Sequence, residues 1–152
     1  MDAELLKKVA LFEGLTQGQL AKVAQLGQTR DYPAGAFLFR EGEASQEMFV
    51  VSRGKVRISK SVPGIGEEAL AILEAGQYFG EMAIIEDSPR SADAIAHISC
   101  SVWVIERSKL DQLMFTDKDL AYVLLWTLVR TLSERLRETN DKIKSFFAIS
   151  RF

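Results

Sequence analysis

Residues 79–92 read Phe79-Gly80-Glu81-Met82-Ala83-Ile84-Ile85-Glu86-Asp87-Ser88-Pro89-Arg90-Ser91-Ala92. The stretch holds a glycine-led turn, a carboxylate, a guanidinium and a hydroxyl, a set suited to a small anion that carries both hydroxyls and a phosphate. Glycine at 80 permits close backbone approach, and Met82 to Ile85 is enough for one helical turn whose leading N–H groups point at an anion. Arg90 supplies a planar fork of donors that matches two phosphate oxygens, where lysine would be a point charge. Glu81 repels phosphate, so in the same pocket it must face donors, and sugar hydroxyls are the natural ones. The plain alternative is a surface turn with an incidental Glu–Arg pair.

The stretch resembles the phosphate-binding cassette of the cyclic nucleotide-binding domain family, whose pattern runs F-G-E-[LM]-A, five free positions, then P-R-[SAT]-A. Every fixed position is matched without a gap. The resemblance covers about Leu6 to Ile143 and points to the sensor domains of catabolite activator proteins and protein kinase A regulatory subunits. It implies that Glu81 accepts from the ribose 2′-hydroxyl, that Arg90 pairs with the cyclic phosphate and that Ser91 adds a hydroxyl contact. Backbone N–H groups of Gly80, Met82, Ala83 and Ala92 complete the implied set. No cofactor is called for; the cyclic nucleotide is the ligand. Ser91 can sit beside either purine, and its hydroxyl can also meet a guanine amino group, so cyclic GMP stays open beside cyclic AMP.

Working outward, the texture from Asp31 to Ile105 is one of short β-branched and aromatic runs punctuated by Pro, Gly, Ser and acidic residues, which predicts a compact antiparallel barrel or sandwich. Strands are expected at 37–40, 48–52, 55–60 and 68–73, with 92–98 and 100–105 as a pair leaving the cassette. Arg53-Gly54 reads as a tight hairpin turn and Pro63-Gly64-Ile65-Gly66 as a second turn. Residues 3–13 and 16–27 carry apolar residues at helical spacing, with Thr16 as N-cap of the second helix. The expected fold is therefore α+β, mainly β: an antiparallel β-roll or jelly-roll barrel (31–106) flanked by N-terminal helices (1–30) and C-terminal helices (107–152), all one domain.

At the C-terminal end, Ser108 to Met114 predicts a short helix with Ser108 near its cap, followed by a long one from about Asp117 to Phe147. Along the latter, Leu125, Val129, Leu132, Leu136, Thr139, Ile143 and Phe146 recur in steps of four and three, a coiled-coil seam that suits a parallel homodimer. Tyr122, Leu124 and Trp126 lie off the seam and are expected to pack on the barrel. Thr139 and Asn140 place polar groups at or beside the seam. The segment Arg135 to Lys142 resembles the helix of the catabolite activator branch, in which adjacent Thr and Ser reach the adenine of cyclic AMP from two subunits. Asn140 stands where that pattern has serine, so the pair serves either base contact or the dimer register, and the likeness favours cyclic AMP.

Bulk properties narrow the alternatives. A chain of 152 residues with 47% hydrophobic and 26% charged residues has room for one respectable core, and a net charge of −2 gives no electrostatic ground for direct nucleic-acid binding. The longest apolar run, Leu120 to Val129, is too short to span a bilayer, and the acidic start lacks the layout of a secretory signal, so a cytoplasmic protein is the default expectation. One Cys (Cys100) and one His (His97) make neither a disulfide nor a histidine-built metal site; Cys100 reads as a buried hydrophobe and His97 as a strand residue. No nucleophile–base or metal cluster suggests an enzyme such as a phosphodiesterase. The leading expectation is a non-catalytic sensor that passes its signal to an unknown downstream protein. The alternative is the sensor fragment of a DNA-binding transcription regulator whose helix-turn-helix is absent from this chain.

Overall fold

Two runs without polar interruption, Met48-Phe49-Val50-Val51 and Val102-Trp103-Val104-Ile105, account for the layering, because a strand buried on both faces loses the alternation of a half-exposed one. A computed structural model describes residues 3–150. Eight strands form two four-stranded sheets. The first has the order β1 (Gln28–Tyr32), β8 (Cys100–Glu106), β3 (Glu47–Arg53), β6 (Tyr78–Phe79); the second has β2 (Phe37–Phe39), β7 (Asp93–Ala96), β4 (Val56–Val62), β5 (Gly66–Leu73). All pairings are antiparallel. The fold is the expected β-roll flanked by helices.

The first sheet has two dry faces. Phe49, Val51, Val102, Val104 and Cys100 point into the roll beside Val56, Ala94 and Ala96 of the second sheet. Met48, Val50, Trp103 and Ile105 point the other way and meet the helical layer. That layer comprises α1 (Ala3–Leu6), a 3₁₀ turn (Ala10–Phe12), α2 (Gln17–Ala24), α4 (Arg107–Thr116) and α5 (Lys118–Ser150); α3 (Met82–Ile85) belongs to the cassette. Phe12 meets Trp103 edge-on, with ring centroids 6.2 Å apart. Cys100 is buried as expected, and desolvation pushes its thiol up from the ordinary value.

Thr16 caps α2 through a reciprocal box: its hydroxyl accepts from the Gln19 N–H at 3.2 Å while its own N–H donates to the Gln19 side chain at 2.9 Å. The expected helix 3–13 is instead a short α-helix and a 3₁₀ turn. Strands β1 and β6 lacked a sequence signal, β1 because Gln28-Thr29-Arg30-Asp31-Tyr32 is polar and mostly exposed, β6 because it has only two residues. Glu106, not Ser108, is the N-cap residue of α4.

The expected hairpin at Arg53-Gly54 is corrected. Arg53-Gly54 does not join paired strands, since β3 and β4 lie in different sheets; it is a corner. The same holds for β7 and β8. The corners abut, and a Cβ on Gly54 (φ +80°) would lie 2.7 Å from Cys100 Cα and strike the Ser99 carbonyl. Packing of two corners, rather than a hairpin twist, is what requires glycine there. The Pro63 to Gly66 turn does join a true hairpin, β4–β5.

In α5 the inward face is Leu120, Leu124 and Leu128, each 0–1% exposed. Burial of such a side chain contributes about 1.5–3 kcal/mol, so the first three turns are well anchored. Asp117 roots the helix: its carboxylate accepts from the Leu120 N–H at 3.0 Å and from Lys22 Nζ at 3.1 Å. Leu124 packs on the body as expected, but Tyr122 and Trp126 are 67% and 52% exposed, which corrects their assignment to the barrel. Two positions from Leu124, each lies about 160° round a 3.6-residue helix from it, near the opposite face. The seam residues Leu125, Val129, Leu136, Ile143 and Phe146 are also exposed, whereas Leu132 is partly buried against the core.

Candidate functional site

A cavity of about 600 Å³ opens between the second sheet, the cassette and one turn of α5. Its apolar wall comes from inward positions of the roll, Phe39, Ile58, Ala71 and Leu73; its polar wall is Gly80, Glu81, Met82, Glu86, Ser88, Arg90 and Ser91; Leu132 and Arg135 close it from the helix. Strand alternation supplies the first wall, and a loop held between β6 and β7 supplies the second.

Arg90 is only 8% exposed. Segment 42–47 wraps it with three backbone hydrogen bonds: the Arg90 N–H donates to the Glu43 carbonyl (2.8 Å), its Nη2 donates to the Glu47 carbonyl (2.7 Å), and its own carbonyl accepts from Gly42 (2.9 Å). The guanidinium lies over the Phe39 ring, 4.1 Å from the centroid, within a cluster where Phe49 and Phe79 stack at 5.0 Å. The Glu47 carboxylate is turned away and meets both terminal nitrogens of Arg30, at 2.6 and 3.2 Å, which raises the Arg30 pKa. Among the described residues Arg90 forms no ion pair, and its buried Nε has no hydrogen-bond partner. Desolvation accordingly pulls its pKa below the ordinary guanidinium value, opposed only by the more distant charges of Glu47 and Glu43. Arg90 is thus a buried, desolvated cation held beside the cavity by backbone and ring contacts.

Gly80 makes room for the guanidinium. Its φ is +75°, and a Cβ there would sit 2.8 Å from Arg90 Nη1 and 3.2 Å from the Glu47 carbonyl. Glu81, 5% exposed, follows directly, and its carboxylate is paired with Arg135 Nη1 of α5. Arg135 is half exposed, its guanidinium 5.7 Å from the Tyr78 ring. The cavity thus has a cationic pole on the cassette and a carboxylate whose present partner comes from the helix.

The model of the cyclic nucleotide-binding domain matches residues 29–117, more than half the chain. The chain belongs to the cyclic nucleotide-binding domain family. It is 32% identical over 140 residues to the cyclic AMP receptor protein of Thermus thermophilus, covering 89% of this chain and 61% of that one. It is 28% identical over 172 residues to human cGMP-dependent protein kinase 2, covering 97% of this chain and 22% of the kinase. The chain therefore spans less than two thirds of these relatives. Among solved structures, the N-terminal domain of a transcriptional regulator from Streptomyces coelicolor superposes with a TM-score of 0.79 at 27% identity, covering 91% of this chain and 94% of that domain.

Within this cyclic nucleotide-binding fold, Gly80, Glu81, Met82, Arg90, Ser91 and Ala92 all line the cavity, while Ala83 is buried behind it. The N–H of Ala83 donates to the Gly80 carbonyl at 3.1 Å, so the turn has already engaged the group that was expected to face the ligand. Thr139 and Asn140 are exposed and outside the cavity lining; the Thr139 hydroxyl donates to the Arg135 carbonyl at 2.8 Å. His97 is exposed beyond the end of β7, with Nδ1 3.0 Å from Arg57 Nη1. Reading the sequence missed Arg135, whose place one helical turn before Thr139 and on the Leu128–Leu132 side was the available signal. It also missed the Glu47 carbonyl and the Phe39 ring, because neither a backbone acceptor nor a ring under a cation leaves a motif.

Proposed function

We propose that the protein is a non-catalytic cyclic nucleotide sensor, cyclic AMP in preference to cyclic GMP, in which ligand occupancy shifts α5. The observation that carries the reading is Arg90: a buried guanidinium without a carboxylate partner, opening on the cavity that also holds Glu81. A cyclic phosphate seats on Arg90 with Ser91 beside it, and the ribose 2′-hydroxyl donates to Glu81. Backbone N–H groups at Gly80, Met82 and Ala92 add to the phosphate and ribose contacts. The apolar wall of Ile58, Ala71 and Leu73 takes the purine face.

Coupling requires contacts that differ between two states. Arg135 holds Glu81 here, and a ribose hydroxyl on Glu81 competes with it. Thr139 and Asn140 reach the base only if α5 moves toward the cassette, so that contact belongs to the ligated state alone. A difference of about 1–3 kcal/mol is enough for ordinary allostery. The exposed seam from Leu125 to Phe146 supports parallel dimerisation through α5, which passes the movement to a second subunit or to a downstream protein. The preference for cyclic AMP rests on the Thr139–Asn140 segment and on the likeness to the Thermus receptor protein.

Among the described residues no helix is long and apolar enough to cross a membrane, and no group of three or more His, Cys, Asp or Glu side chains is arranged to hold a metal. A cytoplasmic, non-catalytic role is part of the proposal on the strength of the family match. A second reading, the sensor segment of a DNA-binding regulator, draws on the 61% coverage of the Thermus receptor; the position of the stop codon in the native gene tests it. The primary test is titration calorimetry of the nucleotide-stripped chain with cyclic AMP and then cyclic GMP, paired with Arg90→Ala. Tight binding of cyclic AMP that disappears in the variant is expected. Equal affinity in wild type and variant would sink the site.

A further inference from the structure

The connection between β2 and β3 contributes one side chain to the cavity that lies outside the cassette altogether. Ser45 is 6% exposed and lines the cavity. It sits midway between Glu43 and Glu47, the two residues whose carbonyls hold Arg90. Its hydroxyl makes no hydrogen bond to any described residue, and it is not among the side-chain oxygens sealed completely from the surroundings. A buried serine that stabilises a loop spends its hydroxyl on a nearby backbone group, and here no such bond is made. Ser45 and Arg90 line the same cavity.

We propose that Ser45 is a second phosphate-contacting side chain, donating its hydroxyl to an exocyclic oxygen of the cyclic phosphate held by Arg90. The inference rests on the cyclic nucleotide reading of this cavity. It gives segment 42–47 a double part: its backbone holds Arg90, and its one hydroxyl meets the same anion. The arrangement makes chemical sense because a cyclic phosphate has two non-equivalent exocyclic oxygens. The Arg90 fork, with Nη2 committed to the Glu47 carbonyl, has only part of its donor set left for them.

The experiment compares wild type with Ser45→Ala, both stripped of nucleotide, by titration calorimetry with cyclic AMP and with the Sp and Rp phosphorothioate diastereomers, in which one exocyclic oxygen or the other is sulfur. Loss of a hydrogen bond to a charged group predicts about tenfold weaker binding of cyclic AMP by the variant. The discrimination between the two diastereomers is also expected to shrink, because the oxygen that met the hydroxyl no longer does. The melting temperature without ligand should stay put, since the hydroxyl has no partner within the protein to lose. Wild-type binding accompanied by Ser45→Ala affinity within about twofold and unchanged diastereomer preference would remove Ser45 from the site and leave the cavity reading standing. A wild-type chain that binds neither cyclic AMP nor either phosphorothioate overturns both.

Discussion

Two arginines face the same cavity from opposite walls, and they are held in opposite ways. Arg90 is buried, wrapped by the backbone of residues 42–47 and seated on an aromatic cluster, with its charge uncompensated. Arg135 is half exposed on a helix, its charge met by Glu81 across the cavity. One is held by backbone and ring contacts of its own protein layer; the other is held by a single ion pair that, on the proposed reading, a ligand hydroxyl competes for. On the proposed reading the difference separates rigidity from movement: the cassette would recognise the ligand, and the turn of α5 after its last buried leucine, Leu128, would respond. Rotamer entropy works in the same direction, because ordering a half-exposed arginine costs more than leaving one already immobilised in place.

The largest expected effect tests the anchored part of α5. Leu124→Ala should cost about 2–5 kcal/mol in urea unfolding, the range for deleting a fully buried leucine side chain, whereas Leu136→Ala, 62% exposed, should leave the dilute protomer unchanged and weaken only self-association. Equal costs at low concentration would erase the division of the helix into a fixed root and a free arm. Next comes the fixed pole itself. Arg90→Lys keeps the charge but loses the fork, and about 1.5–3 kcal/mol of cyclic AMP affinity should go with it, read by calorimetry. Retention of wild-type affinity in that variant would mean that a point charge suffices and that the backbone wrapping of the guanidinium has no bearing on recognition.

Much of this was legible in residues 79–92, because recognition there depends on side chains in sequence order. Glu81 and Arg90 stand nine positions apart, and the structure brings both to one cavity. The helical layer was legible in part, through Thr16 as the cap of α2 and through the existence of α4 and α5, whereas the buried face of Leu120, Leu124 and Leu128 was not read as such. What could not be read were features set by tertiary partners. Gly54 signals a turn whether the chain reverses within a sheet or crosses to another, and only the packing of the Ser99–Cys100 corner against it decides. Strand β1 is polar along most of its length, so its pairing with β8 has no alternation to announce it. Arg135 looked like one more charge on a solvated helix, since its partner lies 54 residues away in the chain.

The helix-wall arginine should yield a smaller effect than the pole. Arg135→Ala takes from the buried Glu81 carboxylate its ion-pair partner, and a stability loss of about 1–3 kcal/mol is expected. Cyclic AMP affinity should rise by a few-fold, because the ribose hydroxyl then meets Glu81 without displacing a cation, and ligand-induced protection of α5 amides beyond Leu128 should fall. Weaker binding together with undiminished protection would show that Arg135 contacts the ligand rather than competing with it.

The smallest effect sharpens the comparison at the root of α5. The Asp117 carboxyl is held below the ordinary carboxylate range, first by the Leu120 N–H and then by the Lys22 ammonium. A pKa depressed in the folded state means that the unfolded chain binds the proton more readily. The contribution is therefore present in full above the unfolded value of about 4 and is lost as the pH falls through the lower folded value. Asp117→Asn keeps an acceptor for the helix N-terminus but abolishes the titration. Its melting temperature should lie slightly below wild type at pH 7, and the gap should close as the solution is brought below about pH 4. A gap that persists undiminished in acid would mean that Asp117 holds the helix by hydrogen-bond geometry alone, and that the root of α5 is fixed by its leucines rather than by charge.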